Sequence, residues 1–99
     1  MGTPEALPLT VEQNLRKATT ILKRYGATEV YLFGSYASGT ARSESDIDIA
    51  AVGLPKDYFF AAYGELLMEL QLPFDLIGLD YDNDVSRNVK SHAQLVRVG

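Results

Sequence analysis

Apolar residues recur through the first part of the chain at helical spacing. Val11, Leu15, Ala18, Leu22 and Tyr25 are separated by four, three, four and three positions, which lays one stripe along a helix. Thr10 is set to open that helix, with its hydroxyl capping the first turn and Gln13 reaching back to the Thr10 amide. Gly26 is placed to end it in a left-handed conformation. The period then changes. Glu29 to Phe33 is a run rich in Val, Tyr, Leu and Phe that stops at Gly34, and it predicts a strand. A polar, small-residue stretch follows and leads into Asp46 to Val52, where charged and apolar residues begin in the alternation of a second strand. Pro55 suits the first turn of a second helix carrying Phe59, Tyr63, Leu66 and Leu70 at helical spacing, and Pro73 ends that pattern. Phe74 to Leu79 predicts a third strand, Asp82 to Ser91 a third helix with acidic residues at its positive end, and Leu95 to Val98 a short final strand. Residues 1–9 hold two prolines and no periodicity, so they predict an N-terminal tail ahead of a domain spanning 10–99.

Composition narrows the class without changing this α/β picture. A length of 99 residues matches one domain, and 46% apolar with 22% charged residues is ordinary globular composition. A chain this small buries a modest share of its unfolded surface, which leaves room for an oligomer, a partner or a ligand to add stability. The formal charge is −4, and the nine basic residues are scattered with no Lys or Arg run, so tight direct binding to nucleic acid is not expected. The absence of cysteine excludes disulfides, thiolate metal sites and thiol nucleophiles. No stretch approaches the roughly 20 apolar residues that cross a bilayer, and the N-terminus lacks the order of a signal peptide. The expectation is a soluble, cytoplasmic protein with no membrane contact.

Chemistry concentrates in two places. Asp46 and Asp48 lie two apart in a predicted strand, so both carboxylates project from one sheet face while Ile47 and Ile49 point the other way. Such a pair repels itself unless solvent or a cation intervenes, and a hard divalent ion such as Mg2+ suits oxygen ligands. An exposed strand face can also carry alternate Asp residues with no ligand. Upstream, Gly34-Ser35 closes the preceding strand, and a strand turning sharply at Gly into a short helix presents backbone N–H groups and a hydroxyl to an anion. Most Gly-Ser pairs after a strand are merely turns.

Gly34-Ser35, ten intervening residues and then Asp46-x-Asp48 together resemble the signature of the nucleotidyltransferase superfamily built on the polymerase-β-like fold. Ala37, Gly39 and Ser45-Asp46-Ile47-Asp48 are similar to its small bacterial and archaeal members, the minimal nucleotidyltransferases, and the likeness extends to the leading helix and the Tyr31-Leu32-Phe33 and Phe74-Asp75-Leu76 strands. That resemblance implies a small mixed sheet with helices packed on it. It implies a catalytic and metal-binding trio of Asp46, Asp48 and Asp75, the first two shared by two Mg2+ ions and the third completing the ion at the attacking hydroxyl. Gly34 and Ser35 would hold the β- and γ-phosphates of ATP. Many relatives carry an Arg where this chain has Ser38, outside the metal site, and Arg42 lies in the same loop.

Other signals lead elsewhere. Asp80-x-Asp82-x-Asp84 opens like a calcium-binding EF-hand loop, but Val85 and Ser91 stand where Gly and a bidentate Glu are required, so it reads as a solvated helix start. His92 has no partnered Ser or second His and suits a helix end. Tyr58, Phe59, Phe60 and Tyr63 fit core or subunit interface better than base stacking, and Tyr36 directly follows Ser35. Three functions compete. In the first, implied by the family resemblance, the chain transfers AMP from ATP to a hydroxyl, such as a Tyr hydroxyl, of a helical HEPN-type ribonuclease toxin and so acts as its antitoxin. In the second it is a binding module without chemistry. In the third it transfers a nucleotide to a small molecule such as an aminoglycoside, although those enzymes usually carry a further substrate-binding domain.

Overall fold

A computed structural model describes residues 7–42 and 45–99. Helix α1 (Leu9–Arg24) carries the predicted stripe, and burial of Asn14 and Ile21 widens it. The Thr10–Gln13 capping box does not form: Pro8 occupies the N-cap and no side chain caps the turn. Leu7 packs against the core and brings the chain in early, and the ring of Pro8 fixes a φ of −59° that suits helix entry. Thr10 is therefore already helical, past the position from which a hydroxyl can cap. Of the expected tail, residues 1–6 lie outside the described residues. Gly26 follows the C-cap at φ 114°.

Strand β1 (Glu29–Phe33) is followed by a single helical turn, α2 (Ser35–Ser38), and by β2 (Ile47–Val52). Asp46 thus stands one residue before β2. The next helix, α3 (Lys56–Glu69), has Pro55 as its N-cap, one place ahead of the first turn expected for it. After β3 (Phe74–Gly78) comes α4 (Asp84–His92), two residues later than predicted because the Asn83 side chain caps it, accepting from the Ser86 amide at 2.8 Å. Asp80 accepts a bond from the Gly53 amide, and Asp82 and Asp84 both pair with Arg87, which leaves them as the solvated helix start anticipated. The chain closes with β4 (Val96–Arg97).

The strands form one mixed sheet in the order β3-β2-β1-β4, with β1 antiparallel to β2 and β4, and β2 parallel to β3. Alternation divides its faces. Val30, Leu32, Ile47, Ile49, Ala51 and Leu76 point into the core with the buried stripe of α1 and with Ala62 and Leu66 of α3. Tyr31, Phe33, Asp48, Ala50, Asp75 and Ile77 share the opposite face. Asp48 and Asp75 thus stand on the face turned away from the core-facing layer of α1 and α3. No helix among the described residues is long and apolar enough to cross a membrane.

Candidate active site

The site begins where β1 ends. Gly34 turns the chain at φ 76° and ψ −153°, a conformation that essentially only glycine adopts. A Cβ on it would lie 1.9 Å from Oδ2 of Asp48, so the turn is pressed directly against that carboxylate. The Gly34 carbonyl accepts bonds from the amides of Ala37 and Ser38, both at 3.1 Å, which winds α2. The first amides of that turn have no partner within it. Gly39 ends α2 in the left-handed region, the Thr40 amide returns to the Ser35 carbonyl at 2.9 Å, and the Ser38 and Thr40 hydroxyls meet at 2.9 Å. Ser38, at the position where many relatives carry Arg, is exposed and bonded within its own loop. Arg42 is also exposed, and its backbone exchanges bonds with Ser45 just ahead of Asp46.

Strand register assembles the acidic side. Asp48 lies opposite Phe33 of β1 on one side and opposite Asp75 of β3 on the other. Asp46, two residues back, falls on the same face and is exposed, as is Asp75, whereas Asp48 is half-buried. Burial pushes the Asp48 carboxyl above the usual range, and the negative charges of Asp75 and then Asp46 push it further the same way. The sheet thus sets Asp48 beside Asp75, with Asp46 within electrostatic reach and Gly34 against Asp48, and Ser35 is the next residue, at the start of α2. Among the described residues, no three acidic or histidine side chains stand close enough to enclose an ion in the arrangement found. The donor set, carboxylates alone, is nevertheless of the chemical kind that suits a hard divalent cation.

Other candidates take structural places. His92 is exposed in the last turn of α4. Phe59 and Tyr63 pack against the core, with the Tyr63 and Phe74 rings 5.1 Å apart, while Tyr58 and Phe60 are exposed. Tyr36 is half-buried against the core. Sequence reasoning passed over Asn14, which is 1% exposed and accepts bonds from the amides of Gln71 and Leu72. The signal was present, since Asn14 falls three residues after Val11 on the apolar stripe and a polar side chain in that phase needs a partner.

This fold, with its carboxylates and glycine turn on one sheet face, defines a nucleotide-transferring domain. The family model described as "Polymerase beta, Nucleotidyltransferase" matches residues 16–97, and the chain belongs to that family of enzymes. It is 39% identical over 74 residues to "Putative protein adenylyltransferase MJ1379" of Methanocaldococcus jannaschii, a match covering 73% of this chain and 71% of the relative. It is similar to one chain of a toxin-antitoxin crystallised with AMP-PNP, with a TM-score of 0.62 and 28% identity, covering 83% of this chain and 71% of the other. A variant of the toxin-antitoxin MntA-HpeT gives a TM-score of 0.58 and 28% identity over 82% of this chain and 69% of its own.

Proposed function

We propose that this nucleotidyltransferase is a metal-dependent protein adenylyltransferase that moves AMP from ATP to a hydroxyl on a HEPN-type helical toxin, and so acts as a cytoplasmic antitoxin. The observation that carries the chemistry is the register pairing of Asp48 with Asp75, with Gly34 pressed against Asp48. Asp46, Asp48 and Asp75 would hold Mg2+, two ions being the family's usual number. Bound there, the ions supply charge that offsets the attacking and leaving oxygens of an in-line displacement at the α-phosphate. Gly34 and Ser35 orient the β- and γ-phosphates through the free amides of α2. Asp75, exposed at the site's edge, accepts the proton of the attacking hydroxyl. The acceptor oxygen bonds to the α-phosphorus, the bond from that phosphorus to the bridging oxygen breaks, and pyrophosphate leaves.

The partner is supported by the names of two relatives, a protein adenylyltransferase and a toxin-antitoxin with AMP-PNP. It is supported also by the apolar surface of α3, where Phe60, Leu67 and Met68 are exposed along one side of the helix. Intact-mass measurement of the toxin after incubation with this chain, ATP and Mg2+ tests the reading, and one or more added adenylate units are expected. The second reading, a binding module, predicts an unmodified toxin inhibited equally well by the Asp46→Asn/Asp48→Asn variant.

A further inference from the structure

Asn14 is one of two buried polar residues among the described residues, and it lies on α1, across the core from the site. Its Nδ2 donates to the Thr10 carbonyl at 2.7 Å, and its Oδ1 accepts from the Gln71 amide at 2.8 Å and the Leu72 amide at 3.4 Å. Those amides belong to the connection between α3 and β3. Helix α3 has ended by then, with Leu70 in an extended conformation, and Pro73 has no amide to contribute. One residue further along, the Pro73 carbonyl accepts from the Ile47 amide at 3.0 Å, and Ile47 lies between Asp46 and Asp48. Asp75 follows two residues after Pro73 and pairs with Asp48. A single short segment, 71–75, is therefore tied to α1 at its start and to the Asp46–Asp48 strand at its end.

We infer that Asn14 is a positioning residue for the nucleotidyl-transfer site, fixing where β3 enters the sheet and hence where the Asp75 carboxylate stands relative to Asp46 and Asp48. The inference rests on the reading of those three carboxylates as the metal site. Its physical basis is that the Gln71 and Leu72 amides share one buried side-chain oxygen as their acceptor, and removing it frees them to bond water instead and lets the segment shift outward. Misplacement by about 1 Å from a change remote from the chemistry can cost about 100-fold in rate.

The test is Mn2+ titration of the full chain by electron paramagnetic resonance, paired with steady-state kinetics, on the wild type, Asp75→Asn, Asn14→Leu, Asn14→Asp and Ser86→Ala. Asn14→Leu is expected to weaken Mn2+ binding about tenfold and lower kcat by about 10- to 100-fold, with KM for ATP within about twofold, because the phosphate-holding turn at Gly34 is untouched. Asn14→Asp keeps an oxygen facing both amides but sets its other oxygen against the Thr10 carbonyl, to which it can donate only when protonated, so it is expected to recover part of the affinity. Ser86→Ala loosens the far end of β3 by removing the bond to the Gly78 carbonyl, and is expected to lower thermal stability with wild-type Mn2+ affinity. Should the leucine variant not fold, Gln71→Pro takes its place with the same expectation, since Leu70 is already in the extended conformation that precedes proline comfortably. Absence of saturable Mn2+ binding in the wild type overturns the metal reading and this inference with it. A normal contrast between wild type and Asp75→Asn, with an unchanged Asn14→Leu, overturns this inference alone.

Discussion

A methyl group at position 34 has no space to occupy: it would sit 1.9 Å from an oxygen of Asp48, on a backbone that L-residues avoid. Gly34→Ala should therefore displace the Asp48 carboxylate and lower nucleotide transfer by about 100-fold or more, read as the rate of pyrophosphate release, while circular dichroism stays close to wild type. Asp48 itself carries a second, less obvious consequence. Its carboxyl is raised above the ordinary range by burial and by the charges of Asp75 and Asp46, so the folded protein holds that proton more tightly than the unfolded chain does. The stability from that proton is fully present below the unfolded-state value and is lost as pH rises through the higher folded value. At neutral pH and without metal, Asp48 is a net burden on the fold. Asp48→Asn should thus raise the melting temperature of the metal-free protein by a few degrees at pH 7 and by much less at pH 3, while abolishing transfer. Equal melting temperatures at both pH values would show that the charge repulsion is too weak to matter.

At the scale of elements, the loop that follows β3 locks the fold's far end. A Cβ on Gly78 would lie 2.3 Å from the Tyr81 ring, whose hydroxyl donates to the Leu54 carbonyl at 2.7 Å, joining the two connections beyond β2 and β3. Tyr81→Phe should cost about 1 kcal/mol in urea denaturation, and Gly78→Ala about 1–3 kcal/mol through overpacking. The two changes share one contact, so a double-mutant cycle should show coupling of about 0.5 kcal/mol or more. The same scale explains what the sequence made legible. Period located the apolar stripe of α1 from Val11 to Tyr25, and a run rich in Val, Tyr, Leu and Phe ending at Gly34 located β1. Boundaries were less legible: packing of Leu7 against the core moved the start of α1 ahead of Thr10, and the local Asn83 cap, one of several polar residues that could open the helix, moved the start of α4 to Asp84. For the site, Gly34, Asp46 and Asp48 were visible because they are close in sequence. Asp75 depended on family resemblance, because only the parallel register of β2 and β3 makes it a neighbour of Asp48, and sequence spacing carries no register.

For the whole molecule, the distribution of apolar surface bears on how an acceptor is held. Phe60 and Met68 are each 83% exposed on α3, with Leu67 at 61% between them in sequence and Gly64 open to solvent on the same side. Beside this stripe, a groove of about 520 Å3 lined in part by Phe59, Phe60, Leu76, Tyr81 and Val85 runs between α3, β3 and α4. Asp57, Asp80, Asp82 and Asp84 are each the sequence neighbour of a lining residue and are exposed, against Lys56 in the lining and Arg87 next to Ser86, so the balance of charge along these segments is negative and a second copy of the same face would meet like charge. A partner helix with an apolar face and basic flanks fits better, which is the kind of surface the proposed helical toxin would have to offer. The groove takes in Leu76, Ile77 and Gly78, the part of β3 that follows Asp75, whereas Phe60 and Met68 stand on α3 away from the carboxylates, so binding and chemistry are separable by mutation there. Phe60→Ser/Met68→Ser should weaken toxin binding, measured by calorimetry, by at least about tenfold, since anchoring aromatic and thioether side chains carry most of such an interface. ATP affinity in Mg2+ should remain within about twofold of wild type, and adenylylation of the toxin should fall at low toxin concentration yet recover at high concentration. Undiminished toxin binding by the double variant would place the acceptor on another surface of the domain.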